Sequence, residues 1–438
     1  MTIEDGGDVT LEVLGPLAGS NNIGGNKSEE WRIPRIVGRI SDDGCVTLED
    51  CVFRQKKISS SGVVNATLEP RLIIIGALYE PNEEILLDRF RFSLEGLEEW
   101  LRWEPAKIFR RPELSMIELR HTIPSEISFA LKSGAILKFG SIDSITPGRS
   151  STFIKSKAYI EIIRQDPEEI EEFIRLCRRI RAFFSLATDR SVNIFDVVAH
   201  SRFATSGVGE EKYEIPLKVF YKSTLDVRNN ERLHWRQMLF SIGAIRDSVP
   251  DIINAWLAAY DTVAPAIHLY FGSVEGGHKY VQARFLALAQ AIETYHRRTA
   301  EGTRWPEPDF QSLVSEILSD AKPQHRNLLE EKLRYANELP LRARVKSLLA
   351  AFPSQFGTKK ERSAFCDIIV STRNYLTHYD KRSEAHVPQG AQLWAICMKM
   401  EILLKLHLLK YISFSDAQID DIVNQSFAMR QHLERELR

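Results

Sequence analysis

"ERSAFCDIIVSTRNYLTHYD", residues 361–380, decides how the C-terminal half of this chain is read. The run AFCDIIVSTRNYL has the spacing of a substantial amphipathic helix. It leads straight into Arg373, Asn374 and His378, which fall within about one and a half helical turns. The segment THYDKRSEAHVPQG that follows has no apolar stripe and leads to Pro388, so the sequence predicts a helix end close to the three polar residues.

Working outward, the helical pattern holds from about residue 232 almost to the end of the chain. Apolar residues recur every three or four positions, as in Phe285, Leu288, Ile292 and Tyr295. ERLHWRQMLFSIGAIRDSV is predicted as the first helix of the series, and the breaks fall at Gly276–Gly277, EGTRWPEP, Pro340 and FPSQFGTKK.

Before residue 232 the texture is β-rich. RIVGRISDDGCVTLED reads as a hairpin turning at Asp42, Asp43 and Gly44, and RLIIIGALYEPNEEILLDRFRF as a second one through Pro81 and Asn82. SLEGLEEWLRW reads as a short helix capped by Ser93, with Leu94, Leu97 and Leu101 on one face. DPEEIEEFIRLCRRIRAFFSLA reads as a longer one, with Asp166 at its cap and Pro167 in its first turn. Its later cluster of Arg175, Arg178, Arg179 and Arg181 complements the helix dipole. KYEIPLKVFYKSTL reads as the last strand. The fold class is therefore α+β and multidomain. Residues 1–30, with AGSNNIGGNKSEE, read as a flexible lead-in, 31–228 as a β-rich module and 229–438 as an all-α bundle.

The 438 residues carry a net charge of −1, which argues against a protein coated in positive charge but allows a local basic cleft. The five cysteines are scattered and form no CxxC pair, which predicts neither a disulfide framework nor a zinc site. The opening MTIEDGGDVTLEV has no basic-then-apolar pattern, and the longest apolar helical run is interrupted by Lys399, Glu401 and Lys405. No membrane association and a cytoplasmic location are expected. GSVEGGHKY lacks P-loop spacing, and HExxH, EF-hand and GxSxG motifs are absent, so no cofactor is expected.

Arg373, Asn374 and His378 are the residue types that metal-free RNA cleavage requires. A histidine can take the 2′-hydroxyl proton or protonate the leaving 5′-oxygen. A guanidinium suits the charge that gathers on the phosphorane oxygens, and an amide can orient either partner. Positions five apart on a straight helix diverge by about 140°. Either the helix ends near Leu376 and Thr377 and turns His378 back, or a second copy of the chain completes the site. RNNERLH offers Arg228, Asn229 and His234 in nearly the same pattern, but in a polar junction between strand and helix.

RNYLTH, at a helix end and followed by another long helix, resembles the RNxxxH form of the HEPN superfamily. RFLALAQAIETYHRRT is similar to an early helix of the HEPN domain in ApeA-like proteins, and FRFSLEGLEEWL to the N-terminal domain that accompanies it. The resemblance implies a metal-independent endoribonuclease acting in abortive-infection defence against phage, with the N-terminal module as sensor of a phage-derived trigger. It implies a homodimer through the HEPN domain and an RNA substrate, tRNA being one class. By carry-over Arg373 stabilises phosphate charge, His378 transfers protons and Asn374 orients them. The alternative is a non-catalytic HEPN sensor or adaptor that binds a nucleotide, RNA or partner. HEPN toxins controlled by nucleotidylation continue as His-x-Tyr. Here Tyr379 follows His378 directly, which implies control within the chain.

Further residues are candidates for RNA contact: Tyr379, Tyr295 as a stacking ring, and His296, Arg297 and Arg298 along the RNA backbone. Glu293 is the candidate partner of an arginine, with Arg373 the one proposed. His407, in LLKLHLLKY, has the neighbourhood of a core histidine.

Overall fold

The computed structural model describes residues 2–3, 9–14, 32–40, 44–59, 62–149, 151–207, 212–221, 233–275, 280–300, 302–379 and 387–435. The chain divides into two compact units, Met1–Pro250 and Asp251–Arg438.

The first unit contains β1 (Thr2–Ile3), β2 (Val9–Leu14), β3 (Arg32–Ile40), β4 (Gly44–Ser59), β5 (Gly62–Ile75), β6 (Leu86–Leu94), α1 (Leu97–Leu101), β7 (Ala106–Arg111) and β8 (Met116–His121). It continues with β9 (Ile127–Ala130), β10 (Ile136–Pro147), β11 (Thr152–Glu169), α2 (Ile170–Thr188), β12 (Ile194–His200), β13 (Thr205–Ser206), β14 (Tyr213–Glu214), β15 (Leu217–Tyr221) and α3 (Ile242–Ile245). Among the described residues an eleven-stranded sheet runs β1-β2-β5-β15-β12-β6-β11-β10-β9, with β4 alongside β5 and β3 alongside β4. Phe90 and Phe92 of β6, Phe139 of β10 and Ile160 and Ile162 of β11 are fully buried. Helix α2 lies on that face, with Phe173 stacked 5.8 Å from Phe90. Trp100 of α1 sits edge-on to Phe184 at 4.9 Å. Leu72, Ile73, Ile74 and Ile75 of β5 are all buried, as a strand covered on both faces requires.

Several local expectations give way to tertiary structure. Ser93 caps no helix; it lies in β6 and its Oγ donates to the Ala158 carbonyl, because β6 must stay extended to pair with β11 and β12. Helix α1 starts after Gly96, whose φ of 76° would strain any other residue. Asp166 and Pro167 lie within β11, where Glu168 and Glu169 still pair with Leu87 and Leu86, so α2 begins at Ile170. β5 and β6 form no hairpin: β15 and β12, from far along the chain, lie between them. β3 and β4 do pair, Ile40 opposite Gly44, while Asp42 and Asp43 lie outside the described residues.

The expected lead-in, residues 1–30, includes β2, which pairs with β5; its segment 18–30 is outside the described residues. The expected helix across 232–248 is broken into short pieces, Trp235–Gln237, α3 and Arg246–Ser248. They belong to the first unit, so that unit extends to Pro250 rather than 228. The physical reason is packing: the Phe240 ring lies 5.7 Å from Phe183, and its N–H donates to the Ala187 carbonyl.

The second unit is helical. α4 (Val249–Glu275), whose first turn contains the division, is followed by α5 (Val281–Thr299), α6 (Glu307–Asp320), α7 (Pro323–Leu333), α8 (Leu341–Ala350) and α9 (Pro353–Phe356). α10 (Lys359–His378), α11 (Gly390–Tyr411), α12 (Asp416–Gln425) and α13 (Phe427–Glu434) complete it. Helix α11 is buried nearly all round from Ala395 to Leu409, which makes it the central element of the bundle. Its buried Glu401 is compensated by Arg284 of α5, whose Nε donates to Oε1 at 2.7 Å. Helices α5 and α8 pack against it, and α10 packs in turn on α8 and α5; Phe285, Leu288, Ile292, Val345, Leu348, Leu349, Phe365 and Ile369 of these three helices are buried. No helix among the described residues is long and apolar enough to cross a membrane.

The aromatic knot between sheet and helices should dominate the first unit's stability. Phe184→Ala is expected to cost about 3–5 kcal/mol, whereas Phe153→Ala, at an exposed position, should change stability by less than about 0.5 kcal/mol. Urea unfolding followed by fluorescence checks both.

Candidate active site

The amphipathic run that opened the sequence reading is helix α10. Thr358 caps it: its Oγ1 accepts from the Glu361 N–H, and the Glu361 side chain accepts from the Thr358 N–H. Phe365, Cys366, Ile369, Thr372 and Leu376 are buried, one stripe at spacings of one, three and four. That stripe fixes the direction of every other side chain on the helix.

The helix ends one residue beyond Thr377, so the expected end near Leu376 and Thr377 holds, but His378 is still inside the helix. It runs through His378, Thr377 Oγ1 donates to the Arg373 carbonyl at 2.7 Å, and Tyr379 terminates it in a left-handed conformation at φ 49°. The Tyr379 N–H still donates to the Tyr375 carbonyl. His378 is therefore not turned back toward Arg373 by a break. Asn374 and His378, four apart, share a face to within about 40°, and Arg373 points roughly 140° away from His378. A hydrogen bond reduces the gap: Arg373 Nη1 donates to Asn374 Oδ1 at 3.3 Å, which draws the guanidinium toward the Asn374 side. Asn374, His378 and Tyr379 are exposed.

On its other side Arg373 faces Glu293 of α5, with Nη2 4.0 Å from Oε2. The same carboxylate accepts from Arg297 at 3.0 Å, and Arg297 pairs with Glu338 at 2.7 Å. Burial would lower the Arg297 pKa, but its hydrogen bonds to Glu293 and Glu338 outweigh that and raise it. Glu293 thus meets Arg373 as proposed from the sequence. Glu338 was missed: it lies in the polar connection before Pro340, where no periodicity marks it.

Residues 1–256 match the family model described as ApeA N-terminal domain 1, and residues 286–418 match the one described as Apea-like HEPN. The chain belongs to the ApeA family. No curated protein and no solved structure matches it. In this ApeA-like protein the HEPN match contains Arg373, Asn374 and His378, together with most of α5 and all of α8 and α10.

Two other sequence-derived candidates, Tyr295 and His296, are held away from solvent. Tyr295 is buried, its hydroxyl donating to the His407 carbonyl at 3.2 Å, so its ring cannot serve as a base-stacking platform. His296 is buried too: its Nδ1 accepts from Arg344 Nη1 at 3.3 Å, and burial, then the Arg344 charge, lowers its pKa. It cannot lie along an RNA backbone. Arg298 is exposed at the end of α5 and donates to the Thr262 carbonyl. Of the competing RNNERLH pattern, Arg228 and Asn229 lie outside the described residues, and His234 Nδ1 accepts from the Arg236 N–H.

His407 of the ApeA-like protein is a core residue. Its Nε2 donates to the Leu348 carbonyl at 3.0 Å, and burial pushes its pKa down to about 4. An unfolded histidine titrates near pH 6.5, so between the two values the unfolded chain binds the extra proton. The stability that neutral His407 contributes is thus complete above pH ~6.5 and is lost as pH falls toward 4, by on the order of 3 kcal/mol. His407→Gln should flatten this decline in urea unfolding between neutral and mildly acid pH.

Proposed function

We propose that this ApeA-like protein is a metal-independent HEPN endoribonuclease acting in abortive-infection defence against phage. The observation that carries the reading is the exposed end of α10, where Arg373 is hydrogen-bonded to Asn374 and His378 closes the helix, inside the HEPN match. In this reading a histidine removes the 2′-hydroxyl proton, and the oxygen attacks the adjacent phosphorus as the bond to the 5′-oxygen breaks. The imidazolium so formed returns its proton, through water, to that leaving oxygen. The products are a 2′,3′-cyclic phosphate and a free 5′-hydroxyl. Arg373 compensates charge on the non-bridging oxygens, and Asn374 holds the guanidinium toward the scissile group.

The angular separation within one α10 supports completion of the site by a second chain, so the working form is a homodimer through the helical unit. The substrate is RNA, with tRNA one class, and the N-terminal unit responds to a phage-derived trigger. The setting is the cytoplasm.

RNA-cleavage assays of purified protein, with and without lysate from phage-infected cells, test the reading. His378→Ala is expected to lose about 10²–10⁴-fold and Arg373→Ala at least about 10²-fold in rate, with RNA binding kept. Wild-type cleavage should persist in EDTA. Loss of activity in EDTA would overturn metal independence. Equal RNA binding by all three proteins with no cleavage under any condition would make the domain an adaptor instead.

A further inference from the structure

The β7–β8 hairpin stands apart from the large sheet, and among the described residues its two strands pair only with each other. Cross-strand partners share a face. One face therefore carries Ala106 with His121, Ile108 with Leu119, and Arg110 with Ile117. The other carries Lys107 with Arg120, Phe109 with Glu118, and Arg111 with Met116.

The first face is largely apolar and open to water: Ile108 is 65%, Ile117 70% and Leu119 48% exposed. The second is basic. Arg111 and Arg120 both pair with Glu118, and Arg120 lies 5.1 Å over the Phe109 ring. From 106 to 121, four Lys and Arg (Lys107, Arg110, Arg111, Arg120) oppose two Glu (Glu113, Glu118), a net +2 in a chain of net −1. The ribbon is anchored rather than loose, since His121 Nε2 bonds Asp143 Oδ1 of β10 at 2.9 Å. An isolated two-stranded ribbon with an uncovered apolar face is marginal in water, and its outer edges leave backbone donors and acceptors unpaired.

We infer that this ribbon docks an extended acidic segment of another protein, which adds to an open edge as a third strand. Side chains alternate along a strand, so the segment's even positions fall on one face of the ribbon and its odd positions on the other. The ribbon dictates what those positions must be. Apolar residues complete the Ile108–Leu119–Ile117 face, and carboxylates meet Lys107, Arg111 and Arg120. A nucleic acid would use the basic face but leave the apolar one wet, which is why a polypeptide fits better. The inference is independent of the nuclease reading, because binding is measured without any cleavage.

The probe is a fluorescent octapeptide of alternating Glu and Val, followed by anisotropy with the full-length protein. A Lys–Val octapeptide and an oligouridine strand are the comparisons. The Glu–Val peptide should bind and weaken as salt rises, the Lys–Val peptide should bind at least tenfold more weakly, and oligouridine should not compete. Both Ile108→Asp/Leu119→Asp and Arg111→Glu/Arg120→Glu should lower Glu–Val affinity at least tenfold. All four side chains lie on the exposed ribbon, and unchanged circular dichroism should accompany the loss. No Glu–Val binding, equal binding of both peptides, displacement by oligouridine, or indifference to both double variants would each overturn the inference.

Discussion

One face of α10 is committed to the core, and that commitment governs the arrangement around it. Burying Phe365, Ile369, Thr372 and Leu376 fixes the rotation of the helix about its axis. A 3.6-residue repeat then leaves no freedom in where the remaining residues point. Arg373, next to the buried stripe, comes out half-exposed beside α5, where Glu293 meets it. Asn374 and His378 come out together on the exposed arc. The nearly all-buried α11 packs on α5 and α8, which in turn hold α10, so the positions of Glu293 and Arg373 follow from packing in the bundle.

The polar chain Glu338–Arg297–Glu293–Arg373 alternates in charge and ends at Arg373. Glu293 is shared between two guanidiniums, and the nearer one is Arg297. Arg373 is consequently the more weakly held, with one long carboxylate contact and one neutral hydrogen bond to Asn374. A guanidinium in that condition remains available to a phosphate, which offers a stronger, charge-assisted partner. Behind this surface, His296, Arg344, Tyr295 and His407 interlock helices through buried hydrogen bonds. They hold the platform without reaching its surface.

What the sequence reveals here depends on how local the cause is. Helix α10, its neighbours and the change from β-rich to helical texture are set by periodicity, and they were legible. The place where α10 ends was legible to within a residue or two, but the way it ends was not. No glycine stops the helix; Thr377 bonds back to the Arg373 carbonyl, and a tyrosine takes the left-handed position. Tyr295 belongs to the stripe of Phe285, Leu288 and Ile292, so its spacing argued for burial more strongly than its chemistry argued for stacking. His296 sits in a polar run, and only Arg344, on a different helix, explains its burial. Sheet order was the least legible feature. β6 is flanked by β11 and β12, and β5 meets β15, pairings between segments far apart in sequence that local propensity cannot specify.

The claim on which the account turns is that a guanidinium from one chain and an imidazole from another act on the same phosphodiester. Subunit mixing addresses it directly. Arg373→Ala and His378→Ala proteins, each inactive alone, are unfolded, mixed and refolded so that heterodimers form, and RNA cleavage is measured. The account predicts that the mixture regains a substantial part of wild-type activity, because each chain supplies the group its partner lacks. A mixture as inactive as its components, beside wild-type protein refolded the same way and fully active, would contradict it.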